Sequence, residues 1–291
     1  MARKRTVAIG KINIAMHNPH GAEKYISLLR SAYHLKKPIH INDTQTLMIG
    51  SMQPSKNESG IDIIYGQLYK FTNIDRDLPW FDIETGRAAS KYDVMKINIP
   101  DNLLPNLKHF HYVFNAGIHT LWFVSKDRKN YLSPYVCRKF IEMLFDDKNI
   151  KSEFPTVEVT TFSDKENLTR MLDLNKLKSI EIELKRPNSD DGTSEEKRFM
   201  KQLEKLKAKK MTVSLDADKN EGILLDEELK SLATVAADNG KVKAVGEDRN
   251  GKHVELSTED HPHLDMVTVD EDLETLEDVV IRISEQQRAI S

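Results

Sequence analysis

Ser179-Ile180-Glu181-Ile182-Glu183-Leu184-Lys185 is the stretch on which the fold turns. Side chains alternate across a strand, so Ile180, Ile182 and Leu184 share one face while Glu181, Glu183 and Lys185 share the other. A strand with one apolar and one charged face belongs to a sheet covered on one side. The chain then passes through Arg186-Pro187-Asn188-Ser189-Asp190-Asp191-Gly192 into a helix expected over 194–209. Thr193 or Ser194 can cap that helix, and Glu195-Glu196 suit its N-terminal dipole. On either side lie an expected strand at 156–162, a helix at 164–172, a strand at 211–215 and a helix at 226–238. Asn239-Gly240 ends the last of these, where glycine can take positive φ. Strands at 242–246 and 253–256 form a hairpin, with Asn250-Gly251 as a type I′ turn signal. A closing helix is expected over 271–288.

The first half reads as richer in strands. A strand is expected over 6–16, a helix over 22–35, and a hairpin from 47–51 and 61–71 joined by a polar, mobile link at 52–60. Further strands are expected at 94–99, 110–115 and 121–125. Ser133-Pro134 then opens a helix reaching about 147, because Ser caps well and Pro suits the first helical position. These patterns predict an α+β fold, mixed sheets with helices packed on one face, in two domains. The first is a strand-rich domain over 1–151, and the second alternates strands and helices over 152–291.

Composition narrows the classes. Of 291 residues 39% are hydrophobic, ample for a packed core, and no apolar run approaches the roughly 20 residues of a membrane helix. Met1-Ala2-Arg3-Lys4-Arg5 is like the start of a signal peptide, but Lys11 and Asn13 break the apolar stretch that would have to follow. A single cysteine, Cys137, leaves no intramolecular disulfide and no cysteine zinc site in one chain. The expectation is a soluble, cytoplasmic protein without direct membrane insertion.

The net charge of −3 conceals two halves. Residues 1–151 carry 22 Lys and Arg against 14 Asp and Glu, or +8; residues 152–291 carry 21 against 32, or −11. A basic half is the electrostatic footprint of a polyanion-binding surface. Three clusters matter for polyanion binding: Arg3-Lys4-Arg5 and Lys36-Lys37 in that half, and beyond it the helix bearing Lys197, Arg198, Lys201, Lys205, Lys207, Lys209 and Lys210. Lys197, Lys201 and Lys205 recur at i, i+4, i+8, opposite Phe199, Leu203 and Leu206. Such a stripe could follow a phosphate backbone without reading bases, or it could be an ordinary solvated face.

Glu181, Glu183 and Lys185 also fit an enzymatic pattern. A Glu-x-Lys strand serves metal-dependent nucleases, the carboxylate holding Mg²⁺ and the lysine supporting the attacking water. It needs a further carboxylate, and only Glu158, Asp164 or Asp173 stand nearby in sequence. No phosphate loop, dinucleotide fingerprint or nucleophile elbow occurs. The ten histidines, including His109 and His111 on one expected strand face, form no metal-binding motif.

Several separated segments occur in an order that resembles the bacterial domain-of-unknown-function family 4747. They include Asp75-Arg76-Asp77-Leu78-Pro79-Trp80-Phe81, Pro105-Asn106-Leu107-Lys108-His109-Phe110, Lys185-Arg186-Pro187-Asn188-Ser189-Asp190-Asp191, Ala237-Asp238-Asn239-Gly240 and Leu256-Ser257-Thr258-Glu259-Asp260-His261-Pro262. Within them Trp80, Arg186, Asn188, Asp190 and Asp191 are candidates for site or scaffold. The family's members look like prophage and defence-island proteins, and their layout is similar to that of RexA-like exclusion proteins. That resemblance implies DNA binding and a sensor role that triggers a membrane-protein partner in abortive infection. It brings no catalytic residues.

The first reading is therefore a non-enzymatic anti-phage defence protein that binds nucleic acid without sequence specificity, needs no cofactor, and takes DNA and a second copy of itself as partners. The alternatives are a Mg²⁺-dependent nuclease using Glu181, Glu183 and Lys185, and a protein–protein interaction module of dipolar charge layout, whose acidic second half contacts a basic partner or the basic half of another copy and whose residues 265–291 are expected to compete with phosphate.

Overall fold

The computed structural model describes residues 3–16, 21–56, 60, 62–74, 77–100, 102–186, 193–218, 221–260 and 262–286. In chain order the elements are β1 (Lys4–Met16), α1 (Ala22–His34), β2 (Ile39–His40), β3 (Gln45–Lys56), β4 (Asp62–Thr72), β5 (Phe81–Asp82), β6 (Arg87–Ala88), α2 (Lys91–Met95), β7 (Lys108–Asn115), β8 (Thr120–Asp127), β9 (Asn130–Tyr131), α3 (Pro134–Phe145) and α4 (Lys148–Glu153). There follow β10 (Val157–Thr161), α5 (Lys165–Leu172), β11 (Lys176–Lys185), α6 (Ser194–Lys205), β12 (Lys210–Asp216), α7 (Glu227–Asn239), β13 (Gly240–Glu247), β14 (His253–Ser257), β15 (Leu264–Asp270) and α8 (Leu276–Gln286). The fold is α+β, with every strand pairing antiparallel.

The larger sheet runs β10-β1-β8-β7-β4-β3-β2, with β15 also on β1 and β9 on β8. Its central strands are apolar on both faces, the pattern of a doubly covered strand. On β8, Leu121 and Phe123 face a core completed by α1 and α3, while Trp122 and Val124 face Val279, Val280 and Ile283 of α8. The smaller sheet, β12-β11-β13-β14, carries its helices on one face. There Ile180, Ile182 and Leu184 pack with Phe199 and Leu203 of α6 and Leu232, Ala233 and Ala236 of α7, as the alternation in β11 requires.

The larger sheet does not respect the position 151/152. One edge of β1 is shared by two strands from the second half of the chain: Ile12–Met16 pair with β10 and Lys4–Gly10 with β15. The chain leaves the larger sheet after β10, builds the smaller one, and returns through β15 and α8. Grouped this way, residues 164–258 hold 19 Lys and Arg against 20 Asp and Glu, and the remainder 24 against 26. The contrast of +8 and −11 becomes −2 beside −1. Residues 264–286 are a strand and a helix of the core, so the acidic C-terminal stretch is no detachable competitor for phosphate.

Other departures have local causes. Residues 91–95 form a helix in place of the expected strand at 94–99, because the Ser90 hydroxyl accepts from the Asp93 N–H and starts a turn. β3 continues to Lys56, paired with Asp62, where a mobile link was expected. The helix of α8 starts only at Leu276, capped by Thr275, whose Oγ1 accepts from the Asp278 N–H at 3.2 Å. Between β13 and β14 only Gly251 takes positive φ (73°), and the Asp248 carboxylate accepts from the Asn250 and Lys252 N–H groups, so the turn is longer than type I′. Gly240 has extended backbone (φ 173°); a Cβ there would lie 2.0 Å from the Glu183 carbonyl oxygen, so strand proximity is what demands glycine. Asn188, Asp190 and Asp191 lie outside the described residues, as do His17, His20 and His261.

Candidate nucleic-acid interface and the charged seam

α6 begins with a capping box: the Thr193 hydroxyl accepts from the Glu196 N–H, and the Glu196 carboxylate accepts from the Thr193 N–H. The other Glu196 oxygen accepts from Asn239 Nδ2 at 2.7 Å, fixing the start of α6 to the end of α7. Phe199, Met200 and Leu203 are buried on the sheet side. That orientation leaves Lys197, Lys201 and Lys205 exposed along the outer face, rising about 6 Å from one to the next. Lys207 follows at φ 52° and is also exposed. None of these four lysines has an ion-pair partner among the described residues. Arg198 lies 4.6 Å from the Phe199 ring.

The neighbouring cations are spoken for. Lys210 Nζ donates to Glu183 at 2.9 Å, which holds the Glu183 carboxyl below its usual range and raises the lysine. Lys209 and Lys185 both reach Glu158, at 3.1 and 3.4 Å. Lys241 lies 3.9 Å from Glu181. Across the seam to α3, Arg138 pairs with Glu142 at 2.8 Å and Glu259 at 3.5 Å. These groups surround a cavity of about 60 Å³ lined by Arg138, Glu183, Lys185, Lys241 and Glu259, among others, the space of roughly two waters.

The residues of the nuclease pattern thus share one face, as expected, but their carboxylates do not converge. Glu181 turns to Lys241, Glu183 to Lys210, and the extra carboxylate Glu158 is occupied by two lysines. Among the described residues no group of three or more His, Cys, Asp and Glu is close enough to hold a metal ion. The donor set suits an ion-pair network better than Mg²⁺, which prefers carboxylate oxygens gathered around one point.

In each of the other two basic clusters one cation is matched to a carboxylate. Arg5 pairs with Asp127 and Glu271, both at 2.8 Å. Arg3 and Lys4 are exposed beside acidic β15, Lys4 opposite Asp270. Lys37 pairs with Asp147 at 2.6 Å while Lys36 is exposed at φ 45°. Arg186 Nε donates to the Ala208 carbonyl at 2.9 Å, holding the exit of β11 against the exit of α6. The Trp80 carbonyl accepts from the Ala89 N–H across the small β5–β6 hairpin. Cys137 is fully buried, and burial pushes its thiol well above the usual range, as a packing role requires.

A second charged cluster went unread in the sequence. Where β1 changes partner from β15 to β10, Lys11 approaches Asp238 and Asp265. Burial pushes Lys11 down and Asp238 up, and Asp238 Oδ1 accepts from the Ser163 N–H at 3.2 Å. His263 Nε2 lies 2.9 Å from Asp265 Oδ1. The available signal was Lys11 itself, a charge within Val7–Met16, whose other residues save Asn13 are apolar.

Several of the segments that carry the family resemblance meet along the seam: Lys185, Gly240 and Glu259 line the same small cavity. Residues 5–285 match the profile described as Domain of unknown function (DUF4747). The chain belongs to the DUF4747 family. No curated protein matches it. In this DUF4747 protein no helix among the described residues is long and apolar enough to cross a membrane.

Proposed function

We propose that the protein binds nucleic acid through the phosphate backbone, without reading sequence, using the outer face of α6. The observation that carries this reading is the row Lys197, Lys201 and Lys205, exposed and without ion-pair partners among the described residues, beside a seam in which Lys185, Lys209, Lys210 and Lys241 are matched to carboxylates. Unmatched lysines in a row exchange condensed counterions for phosphates, which gives affinity that falls steeply with salt. The smaller unit has nearly balanced charge, so attraction is local to this helix. A sensor or effector subunit in anti-phage defence, acting in the cytoplasm, is the setting the family resemblance suggests.

The test is a salt titration of binding to duplex and single-stranded DNA by the full chain, with Mg²⁺ present and absent. Low-salt binding that is lost on replacing Lys197, Lys201 and Lys205 by Ala supports the reading. Absence of binding at low salt, or binding that the triple substitution leaves unchanged, abandons it. Mg²⁺-dependent cleavage that Glu183→Ala removes would favour the nuclease reading instead.

A further inference from the structure

Residues 77–107 form an arm with no core of its own. The segment holds the β5–β6 hairpin and α2, yet none of its described residues is buried. Large apolar side chains nevertheless crowd its surface: Phe81 is 68% exposed, Ile83 87%, Tyr92 71% and Met95 82%, with Leu103 and Leu107 each more than half exposed. Taking roughly 200 Å² for a large side chain, these six present roughly 800 Å² of apolar surface. A standard interface covers about 800 Å² per partner, so the arm as a whole exposes apolar surface on that scale.

The arm is also internally built. The Asp82 carboxylate accepts from the Glu84 and Thr85 N–H groups, the Ala89 N–H donates to the Trp80 carbonyl, and Ser90 caps α2. At its root the Thr72 N–H donates to the Pro105 carbonyl and Asn106 Nδ2 donates to Thr72 Oγ1. Hydrogen bonds thus hold apolar side chains outward, and ordering such a segment requires burial elsewhere to offset its lost entropy.

We infer that the arm is a dimer contact that packs on the same arm of a second copy of this chain. Its charges decide between occupants. Five carboxylates stand against three cations over 77–107, with Glu84, Arg87 and Lys91 exposed among the apolar residues. A polyanion or an anionic membrane selects a surface of net positive charge, and this one is net negative. A two-fold contact sets a patch against itself, and a mixed pattern of nearly balanced sign lets each copy's cations meet the other's carboxylates.

The experiment is the solution mass of the full chain by light scattering at micromolar concentration, for wild type, Ile83→Asp/Met95→Asp and the control Leu224→Asp. Leu224 is 94% exposed but lies outside the arm. Wild type and the control are expected at twice the chain mass of 33.4 kDa. The double variant is expected at one chain mass with an unchanged far-UV spectrum, its dimer Kd raised roughly 100-fold. A milder pair, Phe81→Ala/Ile83→Ala, should raise the Kd in the same direction if the aspartates disturb folding. A wild type of one chain mass, polydisperse aggregation, or dissociation by Leu224→Asp as complete as that by the arm variants overturns the inference.

Discussion

Lys185 Nζ stands 3.4 Å from Glu158 Oε2, joining the last residue of β11 in the smaller sheet to β10 at the edge of the larger one. Glu158 is buried, and its second oxygen meets Lys209 at 3.1 Å. The shorter contact is the weaker one, because the Lys209 side chain is 77% exposed and solvent screens it.

Glu158→Gln should therefore cost about 2 kcal/mol, since it leaves Lys185 facing a neutral group in a partly dry seam. Lys209→Ala should cost about 0.5 kcal/mol or less. Urea titrations of the single and double variants give both coupling energies. A Glu158–Lys209 coupling as large as that of Glu158–Lys185 would refute the ranking.

Gly240→Ala should destabilise by about 1–3 kcal/mol or more, because its Cβ would meet the Glu183 carbonyl at 2.0 Å and push β13 off β11. Gly222→Ala, whose Cβ would meet nothing closer than 3.4 Å, serves as the comparison and should be tolerated. Equal denaturation midpoints for the two variants would show that β13 can shift freely.

Glu271 links acid stability to the N-terminal strand. Hydrogen bonds from Arg128 and Arg5 hold its carboxyl down from 4.5 to about 2. A depressed folded value means that the stabilisation is complete above the unfolded value and is lost as pH falls through the folded one. Wild type should exceed Glu271→Gln in Tm near neutral pH, with the gap closing between about pH 4.5 and 2. A gap independent of pH over that window would locate the effect in packing.

Each α6 lysine that meets a phosphate should contribute about 0.9 to the slope of log affinity against log salt. Replacing Lys197, Lys201 and Lys205 by Ala should lower the slope by about 2.7 while leaving the melting temperature close to wild type, because the three residues are exposed. Filter-binding isotherms at several salt concentrations measure it. A fall in affinity with an unchanged slope would mean that the lysines act through something other than phosphate.

The sequence by itself determined what depends on neighbours a few residues apart. Alternation at Ile180, Ile182 and Leu184 gave β11 and its buried face, Ser133-Pro134 opened α3, and Thr193-Ser194 ahead of Glu195-Glu196 marked the start of α6, where the structure selects Thr193 and closes a capping box with Glu196. Spacing alone also laid out the lysine row on α6. β15 escaped notice although Leu264–Asp270 is a full strand, because its alternation is weak and its partner lies more than 250 residues away in β1.

What only the tertiary structure decided is which distant segments share a sheet. Backbone pairing is much the same for any strand, so nothing in 157–161 or 264–270 names β1 as their neighbour. Once they pair with it, Glu271 reaches Arg5, the acidic end of the chain neutralises the basic beginning, and the apparent dipole between halves disappears. Charge acts through space, over about 10 Å in ordinary salt, whereas the sequence orders it along the chain.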